Sequence, residues 1–352
     1  MKVLEHGGRI GRTLLFLPCT AEPVWVFEQT IALLAQRWHV FQVVFDGHEP
    51  EEPGDFTSVE QTVDEVTEYL KAHGIARLDA AYGCSLGGSC LTRFLALGEI
   101  LVGRAIIDGG ITPYQLPYLV RKLILARDVL SFKLAANDRK VLEAAFPPER
   151  FTIPGHDPVK EYDAMEAYLK TYSDRTIRNV FWSGNNYALP QVPAAGGTKI
   201  TYWYGDDEKK DRRSNIRFIK RYFPQIRIHG IPKMAHAELV IVHPEEFCRY
   251  AEKFLAGPAE AAQPVGTQDR RMTRRKTTNC NLTAAATCCI PSRAKRRSWR
   301  RSRCIIRRRS GKPCGSRCSG SMWTSSPTGA PTSAAGRIST MARAAPMTAL
   351  RS

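Results

Sequence analysis

Short apolar runs of strand length alternate with stretches of helical period through the first 257 residues, and this alternation restricts the chain to a sheet covered on both faces. The strand-like runs are Thr13–Leu17, Val40–Phe45, Leu78–Gly83, Arg104–Asp108, Lys199–Tyr204 and Ile226–Ile231. Helical patterns occupy Val26–Gln36, Val59–Ala72, Leu86–Leu97, Ser214–Phe223 and Pro244–Leu255. Apolar strands separated by helices predict a mostly parallel sheet with helices on both sides. The rhythm breaks between Gly109 and Thr198, where helical patterns follow one another without a strand. Leu116, Leu119, Leu123 and Leu125 line one segment there, and Met165, Tyr168 and Leu169 another. An insertion of that length between two sheet strands predicts a helical cap over the strand ends, at about residues 110–197. Its leucines predict an apolar pocket.

The pattern ends near Gly257. Of the 51 basic residues, 20 lie between Pro258 and Ser352, together with only 2 of the 34 acidic ones, so residues 1–257 are nearly neutral. The tail 258–352 has no Phe or Tyr and too few apolar side chains to offset chain entropy, which predicts a disordered basic segment. Its Arg, Ser, Ala and Cys bias resembles GC-rich coding sequence read out of frame. Arg293–Arg309 would attract polyanions, but nothing in it specifies a nucleic acid. The six tail cysteines form no C-x-x-C pair and the tail has no histidine, which argues against a zinc module. The four cysteines before it, Cys19, Cys84, Cys90 and Cys248, make no disulfide framework. With no export-like start and no run long enough to span a bilayer, the expectation is a cytoplasmic protein without a membrane span.

Chemistry concentrates at Gly83-Cys84-Ser85-Leu86-Gly87, between a strand and a helix. A serine lifted on so sharp a turn needs glycines two places to either side, because strand and helix crowd those positions. The turn also aims the Leu86 N–H at a developing oxyanion. A serine nucleophile needs a base, and among eight histidines His236 is best placed, after strand Ile226–Ile231 and before the last helix. His48, in a loop at the same sheet edge, is a weak candidate for a structural or binding role. The acid that orients the imidazole would come from Gly205-Asp206-Asp207-Glu208, which offers three carboxylates, or from Asp108 at the end of the fourth strand-like run.

The order serine, acid, histidine on this alternating framework resembles the α/β-hydrolase superfamily over residues 1–257. The resemblance implies an α/β-hydrolase fold, a first oxyanion donor near Pro18-Cys19-Thr20, with Thr20 favoured, and an acid three residues after a strand-ending glycine. That spacing selects Glu208, with Asp207 as the alternative. The implied activity is hydrolysis of a small-molecule carboxylic ester, of small or medium acyl chain, without cofactor or metal. Thioester, lactone and carbon–carbon substrates use the same machinery. Two other readings stay open: a non-catalytic binding protein on the same framework, and a polyanion or membrane binder working through the tail. Oligomeric state is left undetermined.

Overall fold

A computed structural model describes residues 1–255 except 10, 52, 53, 114, 115, 195 and 196; the tail 258–352, with the expectations placed on it, lies outside the described residues. Seven strands form one sheet: β1 (Lys2–His6), β2 (Arg12–Leu17), β3 (Trp38–Val44), β4 (Arg77–Cys84), β5 (Leu101–Asp108), β6 (Lys199–Gly205) and β7 (Arg227–Ile231). Their spatial order is β1-β3-β2-β4-β5-β6-β7, and every pairing is parallel except that of β1 with β3. The six expected strands are all present. The unexpected one is β1, whose five residues run antiparallel along an edge, Lys2 opposite Val44 and His6 opposite Val40.

The two-residue period of each strand divides the core in two. Leu14 and Phe16 of β2, with Ala80 and Tyr82 of β4, pack under α1 (Glu28–Ala35). Leu15 and Leu17, with Ala81, face the opposite side, under α2 (Val59–Ala72) and α3 (Leu86–Leu97). The expected helix at Val26–Gln36 is instead a short 3-10 turn, Val24–Phe27, running into α1. Ser58 caps α2 by accepting the Gln61 N–H at 3.1 Å, satisfying one of the amides that a helix start leaves free.

Between β5 and β6 the chain forms five helices: α4 (Tyr118–Asn137), α5 (Arg139–Ala145), α6 (Pro148–Phe151), α7 (Pro158–Leu169) and α8 (Asp174–Gly184). They carry a small core of their own, in which Phe132, Leu169, Tyr172 and Phe181 meet. Helix α8 is stitched to the segment before α2. Thr176 Oγ1 accepts the Phe56 N–H at 3.1 Å, Ser183 Oγ accepts the Val59 N–H at 2.8 Å, and Asn179 Nδ2 donates to the Phe56 carbonyl at 2.8 Å. After β6 come α9 (Arg213–Tyr222), then α10 (Glu238–Val242) and α11 (Pro244–Leu255) beyond β7. Among the described residues no helix is long and apolar enough to cross a membrane.

Candidate active site

Ser85 occupies the single residue between β4 and α3, with φ 53° and ψ −112°. A non-glycine residue holds such a backbone only where its surroundings force it. The forcing comes from close approach: a Cβ on Gly83 would lie 2.4 Å from the Gly87 carbonyl oxygen, and one on Gly87 2.2 Å from that of Leu17. The turn is tied to the sheet by the Ser85 N–H, which donates to the Asp108 carbonyl at 2.9 Å, and by the Gly87 N–H, which donates to that of Pro18 at 3.1 Å. Among the described residues the N–H groups of Leu86 and Thr20 have no hydrogen-bond partner. Both residues line the cavity into which Ser85 opens.

Thr20 is held by His48, the loop histidine of the sequence reading. His48 Nδ1 donates to the Asp46 carbonyl at 3.1 Å, which leaves Nε2 to accept the Thr20 hydroxyl at 2.8 Å. Burial pushes the His48 pKa down to about 4, so the ring stays neutral and keeps that tautomer.

His236 follows β7 on a loop flanked by Lys233 and Ala237, both at positive φ. Glu238 holds the loop by accepting the Ala235 N–H at 2.6 Å. The tight turn after β6, Asp206–Glu208, decides which carboxylate meets the imidazole. Three residues per turn bring Glu208 back beneath the strand end, where Oε1 accepts the Gly205 N–H at 3.2 Å. Its other oxygen lies 2.9 Å from His236 Nδ1 and accepts from Arg212 Nε at 2.7 Å. Burial alone would raise the Glu208 pKa, but the Arg212 guanidinium and then the imidazole outweigh it and hold the carboxyl at about 2. Asp207 points the other way, half-exposed, and pairs with Arg150 of α6 at 2.7 Å. Asp207, the alternative acid, is thus not brought to the imidazole; Arg150 joins it to Glu238, bracing the two loops from the insertion.

Asp108, the remaining candidate acid, is buried and accepts the Tyr82 hydroxyl at 2.7 Å. Burial lifts its pKa to about 6, against the Tyr82 hydrogen bond and with a further push from Glu208. Next to it Gly109, at φ +56°, forms a floor under the imidazole; a Cβ there would lie 2.6 Å from His236 Cε1.

The cavity measures about 80 Å³ and is bordered by Thr20, Ser85, Leu86, Arg212 and His236, and by Phe146, Val180 and Phe181 of the insertion. The expected leucine wall is not there: Leu119 and Leu123 of α4 are 75% and 72% exposed, and the apolar wall comes from α8 and the end of α5. Four polar residues of the cavity escaped the sequence reading, among them Ser89, whose hydroxyl donates to the Ile111 carbonyl at 2.9 Å. Arg212 carried one signal, its place four residues after Glu208, a spacing at which a glutamate and an arginine on one helical turn meet. Glu22 and Asn185 carried none, because only tertiary packing brings them here. Among the described residues no three His, Cys, Asp or Glu side chains cluster as metal ligands would.

No protein-family model matches the chain, and no curated protein does. Solved structures do. An alpha/beta hydrolase family protein from Desulfitobacterium hafniense superposes with a TM-score of 0.55 at 17% identity, over 72% of this chain and 100% of that one. A structure from work on carboxylesterases of the thaumarchaeon Nitrososphaera gargenis gives 0.54 at 17% identity, over 72% and 93%. The enol-lactonase of Burkholderia xenovorans LB400 gives 0.53 at 14% identity, over 72% and 96%. Strand order, the strained serine turn and these likenesses together identify the chain as having the α/β-hydrolase fold.

Proposed function

We propose that the chain is a serine hydrolase that cleaves a carboxylic ester of small or medium acyl chain through an acyl-enzyme on Ser85. The observation that carries this reading is the convergence of a strained serine and a histidine backed by a buried carboxylate on one cavity. Ser85 Oγ attacks the ester carbonyl while His236 Nε2 takes its proton, and Glu208 holds the Nδ1–H tautomer and stabilises the imidazolium. The N–H groups of Leu86 and Thr20 receive the oxyanion. The imidazolium then protonates the departing alcohol, and water, activated by the same base, releases the acid. Among the described residues Ser85 Oγ has no hydrogen-bond partner, so its bond to His236 forms as substrate enters, as it commonly does in enzymes examined without ligand. The five-helix insertion acts as the cap, excluding water from the acyl group.

The test is a fluorophosphonate label followed by assays on p-nitrophenyl esters of increasing acyl length. The expected result is one label per chain, absent in Ser85→Ala, with turnover of short and medium esters reduced by about three orders of magnitude or more in that variant. A folded Ser85→Ala protein that keeps its activity overturns the assignment. A maximum on long-chain emulsions overturns the acyl preference.

A further inference from the structure

A second cavity, of about 30 Å³, adjoins the catalytic one and shares Glu22 and Phe146 with it. Roughly 10–15 Å³ accommodates one water-sized group, so there is room for the end of a small polar arm. Its walls include the rings of Trp25, Phe151 and Tyr162 and the carboxyl of Glu161. Among the described residues that line it there is no lysine, arginine or histidine. The two carboxyls differ in how they are satisfied. Glu161 accepts the Ile153 N–H at 3.1 Å and lies 3.1 Å from His156 Nδ1. Glu22 makes no hydrogen bond or ion pair with any described residue, although it lies between the two cavities. Burial, and then Glu161, push its carboxyl up to about 8.

Glu22 is only partly buried, and its carboxyl, which borders both cavities without a protein donor, is placed to pair with a group that enters them. The catalytic cavity repeats the shortage: Asn185, 4% exposed, donates its Nδ2 to the Phe181 carbonyl and leaves Oδ1 without a partner. The missing group is therefore a donor. Aromatic side chains beside a carboxyl favour one donor above others, a cation, since ring quadrupole and carboxylate act in the same sense, as the Arg139 guanidinium 5.2 Å over the Tyr162 ring already shows nearby. The arginine of the catalytic cavity cannot supply it, because its guanidinium is bound to Glu208.

We propose that the side cavity is a subsite for a primary ammonium group with Glu22 as its counter-ion, and that the substrate carries such a group on its acyl or its alcohol arm. The second clause rests on the serine-hydrolase reading; the first does not. Ammonium binding at Glu22 exchanges the carboxyl proton for an ion pair, and no covalent step is involved.

Two measurements test it. Binding of n-butylammonium chloride and of n-butanol is compared by calorimetry at matched ionic strength, in the full-length protein and in Glu22→Gln and Glu22→Ala. The ammonium is expected to bind about tenfold more tightly than the alcohol, and the preference to fall to about one in both variants. Equal binding of the two probes, or a preference that survives both substitutions, overturns the subsite. The kinetic arm compares the p-nitrophenyl ester of a terminally aminated hexanoate with that of heptanoate, and aminoethyl with propyl esters. In one of these pairs the amino compound is expected to have a kcat/KM about tenfold higher, and Glu22→Gln to bring that ratio to about one. Hydrolysis of all four with ratios near one overturns the substrate clause. Hydrolysis of none, with ammonium binding intact, overturns the serine-hydrolase reading and leaves the subsite standing.

Discussion

Arg212 Nη2 stands 3.2 Å from His236 Nδ1, so a cation competes with the Glu208 carboxylate for the same ring nitrogen. A guanidinium has donors only, and its contact with Nδ1 is a hydrogen bond only when that nitrogen carries no proton. The tautomer that the proposed serine mechanism needs is the other one, with Nδ1–H bound to Glu208 and Nε2 free to accept from Ser85. Arg212 therefore serves the site through Glu208, whose second oxygen it fixes at 2.7 Å.

Removing that guanidinium leaves a buried carboxylate with too little compensation. Arg212→Met is expected to destabilise the fold by about 3–5 kcal/mol at neutral pH, the usual cost of breaking one side of a buried pair. Urea denaturation measures it. A loss below about 1 kcal/mol would mean that the imidazole alone carries the charge of Glu208.

The three candidate acids separate in turnover. Glu208→Gln is expected to cut kcat most, though less than loss of Ser85 or His236, because the acid orients and stabilises the base without reacting itself. Asp207→Asn and Asp108→Asn are expected to stay near wild type in steady-state assays on a short ester. Should Asp108→Asn prove the crippling change, the acid belongs after β5.

Asp108 makes stability depend on pH in a direction opposite to most carboxylates. Its folded pKa, about 6, lies above the unfolded value of 3.8, so between these the folded state holds a proton that the unfolded chain has lost. Stability then falls as pH rises through that window and is flat above it, by a total of about 3 kcal/mol. Asp108→Asn, which keeps an oxygen for Tyr82, is expected to remove the fall and gain most of that energy at neutral pH. Glu208 acts below this window: its folded pKa near 2 gives stability that is present above 4.5 and lost as pH drops toward 2. Unfolding free energies of the two proteins across the acidic range decide the point; parallel curves would rule it out.

Gly109→Ala probes the floor beneath the imidazole. The added methyl carbon would sit 2.7 Å from His236 Nδ1, and the ring has to move. A displacement of about 1 Å at a catalytic group can cost roughly a hundredfold in rate. A fall in kcat of that order is expected, with only a modest loss of thermal stability. An unchanged kcat would show that the ring tolerates the shift.

How much was readable in advance follows from how local each feature is. Strands β2 to β6 could be found because both faces of most of their length are buried, which writes an apolar run, whereas β7, at the other edge, was placed by its position between two helical patterns. Lys2–His6 escaped because β1 is an edge strand of five residues with only partial burial on either face. Ser85 could be singled out because the crowding at Gly83 and Gly87 is a local requirement, and His236 from its place after the last strand; the structure brings both to one cavity. The acid was ambiguous because Asp207 and Glu208 differ by one residue on one tight turn, and the twist of that turn decides which of them is buried. Arg212, Glu22 and the exposure of Leu119 and Leu123 depend on how the insertion packs, which the residue pattern does not encode.

The three hydrogen bonds that stitch α8 to Phe56 and Val59 bear on how ligands enter and leave. All three engage the backbone, two N–H groups and one carbonyl, so freeing α8 would require three partners to part together and three backbone groups to lose their partners. Helix α4 packs mainly on its fellow cap helices α5, α7 and α8. The insertion is thus tied along α8 to the segment before α2, while α4 rests mainly on its neighbouring helices, which predicts that movement of the insertion falls along α4. If the proposed hydrolysis is limited by product escape, substitutions in α4 are expected to alter throughput without touching a reacting atom.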